Sequence, residues 1–286
     1  LKRQRLFSLI LILASTSAHA QRQPSCHPNP APPVLEYEIV DLELSTPAFV
    51  AWRVREQEGA RPLIILNHAA GQTERMWLDI EAFRILVNNL MDAGYVVAAS
   101  RMTLPPPNHF DNWGNQVALN ANSEMYNYLS TTYGTDNARV GMVGDSMGGL
   151  ATLLTIPDAR VPAKCLALYY PVTSLRGQFD FNSAMATTIK YAYGISEDGS
   201  NYQAQTAGHD PHLRPASDWR NVGIRFYGGD GDSLVPWHLH SRLFLAQIAG
   251  VAREASAVRL DGDHNAGAET TGADLVSFFG RCLEGR

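Results

Sequence analysis

The chain of 286 residues is 45% hydrophobic and carries a net charge of −5. That apolar content is enough for a sizeable core and excludes global disorder. The mildly acidic balance excludes the basic footprint that nucleic acid or an anionic membrane surface demands, and the length suits one large α/β domain.

The first twenty residues stand apart. Lys2, Arg3 and Arg5 precede an apolar stretch from Leu6 to Leu13, and Ala18-His19-Ala20 closes the segment in an A-x-A cleavage pattern. The apolar run is much shorter than the ~20 residues of a membrane span. The pattern predicts a signal peptide over 1–20 and a secreted or periplasmic mature protein without a membrane span. Pro24, Pro28, Pro30, Pro32 and Pro33 predict an extended linker over 21–33. Export places Cys26, Cys165 and Cys282 in an oxidising compartment. A Cys26–Cys282 bridge would staple the ends and leave Cys165 buried and inert, although three pairings are open.

From Val34 the text turns regular. Residues 34–44 and 48–56 alternate in polarity around Ser45-Thr46-Pro47, as an antiparallel pair does. Pro62 to Asn67 is a continuous apolar run, expected of a strand buried on both faces. Met76 to Ala93 has helical periodicity and stops at Gly94. The unit then recurs, with strands over 95–100, 138–143, 165–170, 222–227 and 257–260. Helices are predicted over 115–133, 147–156, 237–249 and 268–283. Alternation of this kind predicts a mostly parallel sheet flanked by helices on both faces. Residues 172–221 exceed an ordinary crossover and contain a helical patch near Ser183–Tyr193, so they read as a lid-like insertion in a domain spanning 34–286.

The sharpest chemical signal is Gly144-Asp145-Ser146-Met147-Gly148-Gly149, set between an apolar strand and a helix. That setting makes G-x-S-x-G a nucleophile elbow, in which a tight turn projects the serine hydroxyl toward a base and glycines relieve the crowding. On these residues and the strand–helix alternation, residues 34–284 resemble the α/β-hydrolase superfamily. The resemblance extends to its esterases, dienelactone-hydrolase-like enzymes and secreted polyester hydrolases.

The resemblance implies a Ser, Asp, His order along the chain. Ser146 is then the nucleophile. Gly228-Gly229-Asp230-Gly231-Asp232-Ser233-Leu234-Val235-Pro236 resembles the family's acid turn, with Asp232 in register and Asp230 as a turn-forming alternative. His264, between the last strand and last helix, occupies the place of the general base, with Asp261 and Asp263 shaping its turn. Met147 supplies one oxyanion N–H and the loop His68-Ala69-Ala70-Gly71 the other, from Ala70 or from Ala69. His68 supports that loop.

Trp77, Trp113 and Trp237 belong to segments at the presumed active-site end, where Trp113 and Trp237 would either line a substrate pocket or fill core volume. Asp111-Asn112-Trp113-Gly114 either shapes the site rim or caps the following helix. His209 and His212 have H-x-x-H spacing but no evident third and fourth ligand, and no metal or cofactor is expected. The implied activity is carboxylic ester hydrolysis through an acyl-enzyme, on a small-molecule or polymeric ester. Two alternatives are a prolyl-oligopeptidase-like serine peptidase, which shares the elbow and the D-x-x-V-P turn but for whose large N-terminal propeller there is no room here, and a non-catalytic binding protein on the same fold.

Overall fold

The computed structural model describes residues 37–54, 59–103, 111–157 and 160–285. The expected signal peptide, the linker and Cys26 lie outside them. The chain begins with β1 (Tyr37–Glu43), β2 (Pro47–Arg53), β3 (Pro62–Asn67), α1 (Met76–Asp79), α2 (Glu81–Asp92) and β4 (Val96–Ser100). It continues through α3 (Gln116–Thr132), β5 (Asp136–Asp145), α4 (Met147–Thr155) and β6 (Cys165–Tyr169). The long insertion contributes α5 (Leu175–Phe181), α6 (Ser183–Tyr193) and α7 (Tyr202–Gln205), and the chain then passes through β7 (Gly223–Gly228), α8 (Ser241–Ile248), β8 (Glu254–Arg259) and α9 (Gly272–Glu284).

The strands form one sheet in the order β1-β2-β4-β3-β5-β6-β7-β8. The β1–β2 and β2–β4 pairs are antiparallel and all others are parallel. Period-two alternation explains the two cores. In β3, Ile64 and Leu66 face one cluster with Trp77, Phe83, Leu86, Phe278 and Phe279, whereas Leu63 and Ile65 face another with Met125, Leu129, Trp219 and Phe244. All four β3 side chains are at most 1% exposed, and each such burial is worth about 1.5–3 kcal/mol. A strand buried on both sides has to read as an unbroken apolar run, and PLIILN does.

The winding also fixes where chemistry can occur. From β3 the chain moves outward to β4, then crosses back to place β5 on the other side of β3. Connections leaving β3 and β5 therefore diverge, opening a crevice at their C-terminal ends, the place where such sheets bind ligands. Asn67 and Gly144 are paired there.

Two expectations are corrected. The helix expected over Met76–Ala93 is two helices, broken at Ile80, whose φ of −88° and ψ of 121° are extended. The break lets both Trp77 and Phe83 turn inward, where their rings meet edge to face at 5.1 Å. Cys165 is buried but not inert: it is bridged to Cys282, with Cα atoms 6.0 Å apart. The start of β6 and the last turns of α9 meet at the sheet end opposite the crevice. The bridge closes a loop with a sequence separation of 117. Replacing both residues with alanine should lower unfolding stability by about 2–5 kcal/mol, seen as a lower urea midpoint. An unchanged midpoint would mean that the bridge contributes nothing in solution.

Candidate active site

β5 ends buried at Asp145, and the chain turns at Ser146 directly into α4. Ser146 has φ 53° and ψ −114°, a conformation that a residue with a side chain adopts only when its surroundings enforce it. Its N–H donates to the Tyr169 carbonyl at 2.8 Å, and its own carbonyl accepts from Gly149 and Val172 at 3.0 Å. Close packing completes the enforcement. A Cβ on Gly148 would lie 2.1 Å from the Asn67 carbonyl oxygen, and one on Gly144 would lie 2.5 Å from the Gly148 carbonyl oxygen. Glycine is required at both positions because backbone passes against backbone.

Asp232 and His264 come from the loops after β7 and β8. His264 Nδ1 lies 2.8 Å from Asp232 Oδ2, while Asp232 Oδ1 accepts the Leu234 and Val235 N–H groups at 2.9 Å. An ionised carboxylate only accepts, so Nδ1 carries the proton and Nε2 keeps its lone pair when the ring is neutral. Asp263 links the two loops, accepting from the Ser233 N–H and hydroxyl at 2.9 Å and from the His264 N–H at 2.8 Å. Asp230 is on the outside, paired with Arg259.

His264 is held beside the elbow by its neighbours. The Tyr170 ring lies 5.4 Å from the imidazole, and Tyr170 donates its hydroxyl proton to the Ala266 carbonyl. Asn265 Nδ2 reaches Asp145 Oδ2 at 3.4 Å. The residue before Ser146 and the end of β6 thus both touch the loop carrying His264. Burial opposes charge on this imidazole, but the Asp232 hydrogen bond and the charge of its acidic neighbours, Asp232 and Asp263 among them, outweigh it, and the net shift is upward.

At the end of β3, buried His68 has its ring nitrogens 2.6 Å from the Arg101 carbonyl and 2.9 Å from the Ala69 carbonyl, pinning the loop to the end of β4. Burial lowers its pKa despite both contacts. The Ala69 N–H is directed to Met76 Sδ at 3.3 Å, and the Gly71 N–H donates to Asp111 Oδ1 at 2.6 Å. Between them, Ala70 N–H has no acceptor among the described residues. Met147 N–H opens α4, with no preceding turn to accept it. Both amides are free to meet an external oxygen.

The tryptophans divide on the side of packing. Trp113 is fully buried in a cluster with Met147, Leu150, Leu154, Ile189 and Val235. Its indole N–H donates to Thr188 at 2.8 Å and its carbonyl accepts from the Tyr193 hydroxyl at 2.7 Å, which fastens α6 to the domain. Trp237 is 7% exposed beneath the Arg259 guanidinium, 4.2 Å from its ring centre. Asn115, rather than the preceding Asp111 or Asn112, caps α3. His212 contacts the Thr173 hydroxyl at 3.0 Å, and no acidic, histidine or cysteine cluster suited to a metal occurs among the described residues.

Three residues beside the site carry no individual sequence signal: Asp145, Tyr170 and Asn265. Tyr170 and Asn265 share with Ser146 a positive φ, 43° and 66° respectively. Asp145 was visible inside the serine motif, but nothing in its spacing announces a partner 120 positions away.

The sequence profile of the prolyl oligopeptidase family matches residues 112–284, more than half of the chain. No curated protein matches it by sequence. Among solved structures, a puromycin-hydrolyzing peptidase of Mycobacterium tuberculosis superposes with a TM-score of 0.69 at 18% identity, covering 86% of this chain and 39% of that one. An esterase of Pyrococcus furiosus gives 0.61 at 17% identity, covering 87% and 94%. An S-formylglutathione hydrolase of Agrobacterium tumefaciens gives 0.65 at 15% identity, covering 87% and 96%. The chain spans 39% of the length of the first peptidases it resembles. At these identities the superpositions establish the fold.

The hydrogen bond from Nδ1 has a measurable consequence. In an NMR titration the His264 ring should protonate above the ~6.5 of a free imidazole. In Asp232→Asn its pKa should fall, because burial is then opposed by less negative charge. An unmoved titration in the variant would contradict the assigned cause.

Proposed function

Since the chain belongs to the prolyl oligopeptidase family, within the α/β-hydrolase class of serine hydrolases, we propose that it is a carboxylic ester hydrolase using Ser146, His264 and Asp232. The supporting observation is the His264–Asp232 hydrogen bond beside an enforced turn at Ser146. It supplies a base oriented through Nδ1, on a loop that Asn265 joins to Asp145, one residue before the strained serine.

Ser146 Oγ attacks the ester carbonyl carbon as His264 Nε2 takes its proton. The oxygen of the tetrahedral intermediate gains negative charge and is met by the Ala70 and Met147 N–H groups. The C–O bond to the alcohol then breaks, and His264 returns the proton to the leaving oxygen. Water repeats the sequence on the acyl-enzyme, releasing the acid and restoring Ser146. Asp232 holds Nδ1 throughout and stabilises the transient imidazolium.

Ester is favoured over amide because this unit matches nearly the whole length of the Pyrococcus and Agrobacterium hydrolases. The family profile favours the second reading, a serine peptidase. The helical insertion α5–α7 covers the apolar cluster that contains Met147 and Trp113, in keeping with a lid-like role that selects small or polymeric esters by shape. The Cys165–Cys282 bridge suits an exported protein.

Ser146→Ala should lower kcat for p-nitrophenyl esters by about 10⁴-fold or more, and a fluorophosphonate should label wild type but not the variant. A panel of p-nitrophenyl esters should show higher kcat/KM than aminoacyl p-nitroanilides. The reverse ranking would replace the esterase with the peptidase, and unlabelled folded wild type would leave a binding protein.

A further inference from the structure

Asp145 is fully buried, one residue before Ser146. Its Oδ2 accepts from Asn265 Nδ2 at 3.4 Å. Its Oδ1 and the Asn265 Oδ1 are both enclosed without a hydrogen-bond partner among the described residues. Two neighbouring side chains therefore each keep one surplus buried acceptor. Leaving a buried carboxylate so poorly satisfied is costly. A proton on the Asp145 carboxyl removes the charge and turns a surplus acceptor into a donor. Carboxyl and carboxamide are then chemically complementary, each offering one donor and one acceptor.

The groups facing Asp145 argue in the same direction. His264 approaches from the loop after β8, Asp232 from the loop after β7, and Tyr169 and Tyr170 from the end of β6. Asp232 already supplies the carboxylate bonded to His264 Nδ1. Burial drives the Asp145 carboxyl up to about 7, with Asp232 adding to the rise and His264 and the Asn265 bond only partly opposing it. Asn265, meanwhile, holds a left-handed backbone with φ 66° immediately after His264. Asparagine tolerates that backbone better than most residues, which leaves its side chain turned to the Asp145 contact.

We propose that Asp145 is a positioning residue that works in its protonated form, its carboxyl pairing with the Asn265 carboxamide to fix the His264 loop against the Ser146 elbow. The inference rests on the serine-hydrolase reading of the site. A neutral carboxyl here leaves Asp232 as the charge that orients the imidazole, while still joining the strand that ends in the nucleophile to the loop that carries the base. The proton is held, not transferred, in the reaction.

The test compares Asp145→Leu with Asp145→Asn. Leucine is similar in size but cannot pair, so kcat should fall about 10-fold or more with KM little changed. Asparagine reproduces a neutral donor and acceptor and should restore most of kcat, with the acidic limb of the pH–kcat/KM profile left in place. In infrared difference spectra at about pH 6, wild type minus Asp145→Asn should show the carbonyl stretch of a protonated carboxyl, since an ordinary aspartate of pKa ~3.9 is ionised there. An asparagine variant as impaired as the leucine variant, a limb moved to lower pH, or a carboxylate band in place of the acid band would each overturn the proposal. The infrared measurement needs no turnover, so it decides the state of Asp145 even if Ser146→Ala leaves ester hydrolysis untouched.

Discussion

The turn at Ser146 is the constraint on which the rest of the molecule depends. A residue with a side chain at φ 53° and ψ −114° is not stable by itself, and it survives because three strands converge on it. β5 delivers the chain, β6 accepts its N–H through Tyr169, and the end of β3 presses so closely on α4 that Gly148 has no room for a Cβ. The large apolar strands of the middle sheet therefore do more than stabilise a domain. They fix a local conformation that would otherwise relax, at a cost of order 1–3 kcal/mol drawn from a much larger core.

The same economy governs the other two chemical groups. Asp232 and His264 lie in separate loops, 32 residues apart, and the bond between them exists because adjacent strands β7 and β8 end side by side. Cβ atoms on Gly229 and Gly231 would strike the Leu260 and Gly262 carbonyl oxygens, so the two loops interlock along their backbones. Asp263 then adds hydrogen bonds across the seam. Orientation of the imidazole is thus a property of sheet order, with side-chain bonds selecting the tautomer.

What could be read from residues alone follows from how local each signal is. The β3 strand was legible to the residue because PLIILN has to be apolar throughout, and α6 matched its predicted span because Asn182 and Gly194 bracket it locally. The turn at Ser146 was legible because glycine crowding leaves a fixed spacing. Ile80 was not, since a single extended residue does not disturb the helical periodicity on either side of it. The partner of Cys282 was hidden for a different reason: pairing depends on which strand start lies under the last helix, and sequence order does not contain that distance. Trp113 could be pocket or packing until the cluster around it was seen. Asp145 and Asn265 are polar residues beside turns by any local reading, and their contact arises only when positions 120 residues apart meet.

The segment between β6 and β7 is fastened to the domain on several sides. Trp113 and Asn115 hold α6 through Thr188, Tyr193 and Ala192. On the other side, His240 accepts the Thr173 and Ser174 N–H groups and meets Gln178 Oε1 at 2.9 Å, while burial depresses its pKa to about 3 and keeps it neutral. A cover sewn down along opposite seams has no free edge to swing. Lifting it as one flap would break these buried and part-buried hydrogen bonds at ~1 kcal/mol each, together with the apolar contacts beneath. On the proposed function, a change in the molecules admitted would then come from trimming side chains at the margin of this cover rather than from altering a hinge.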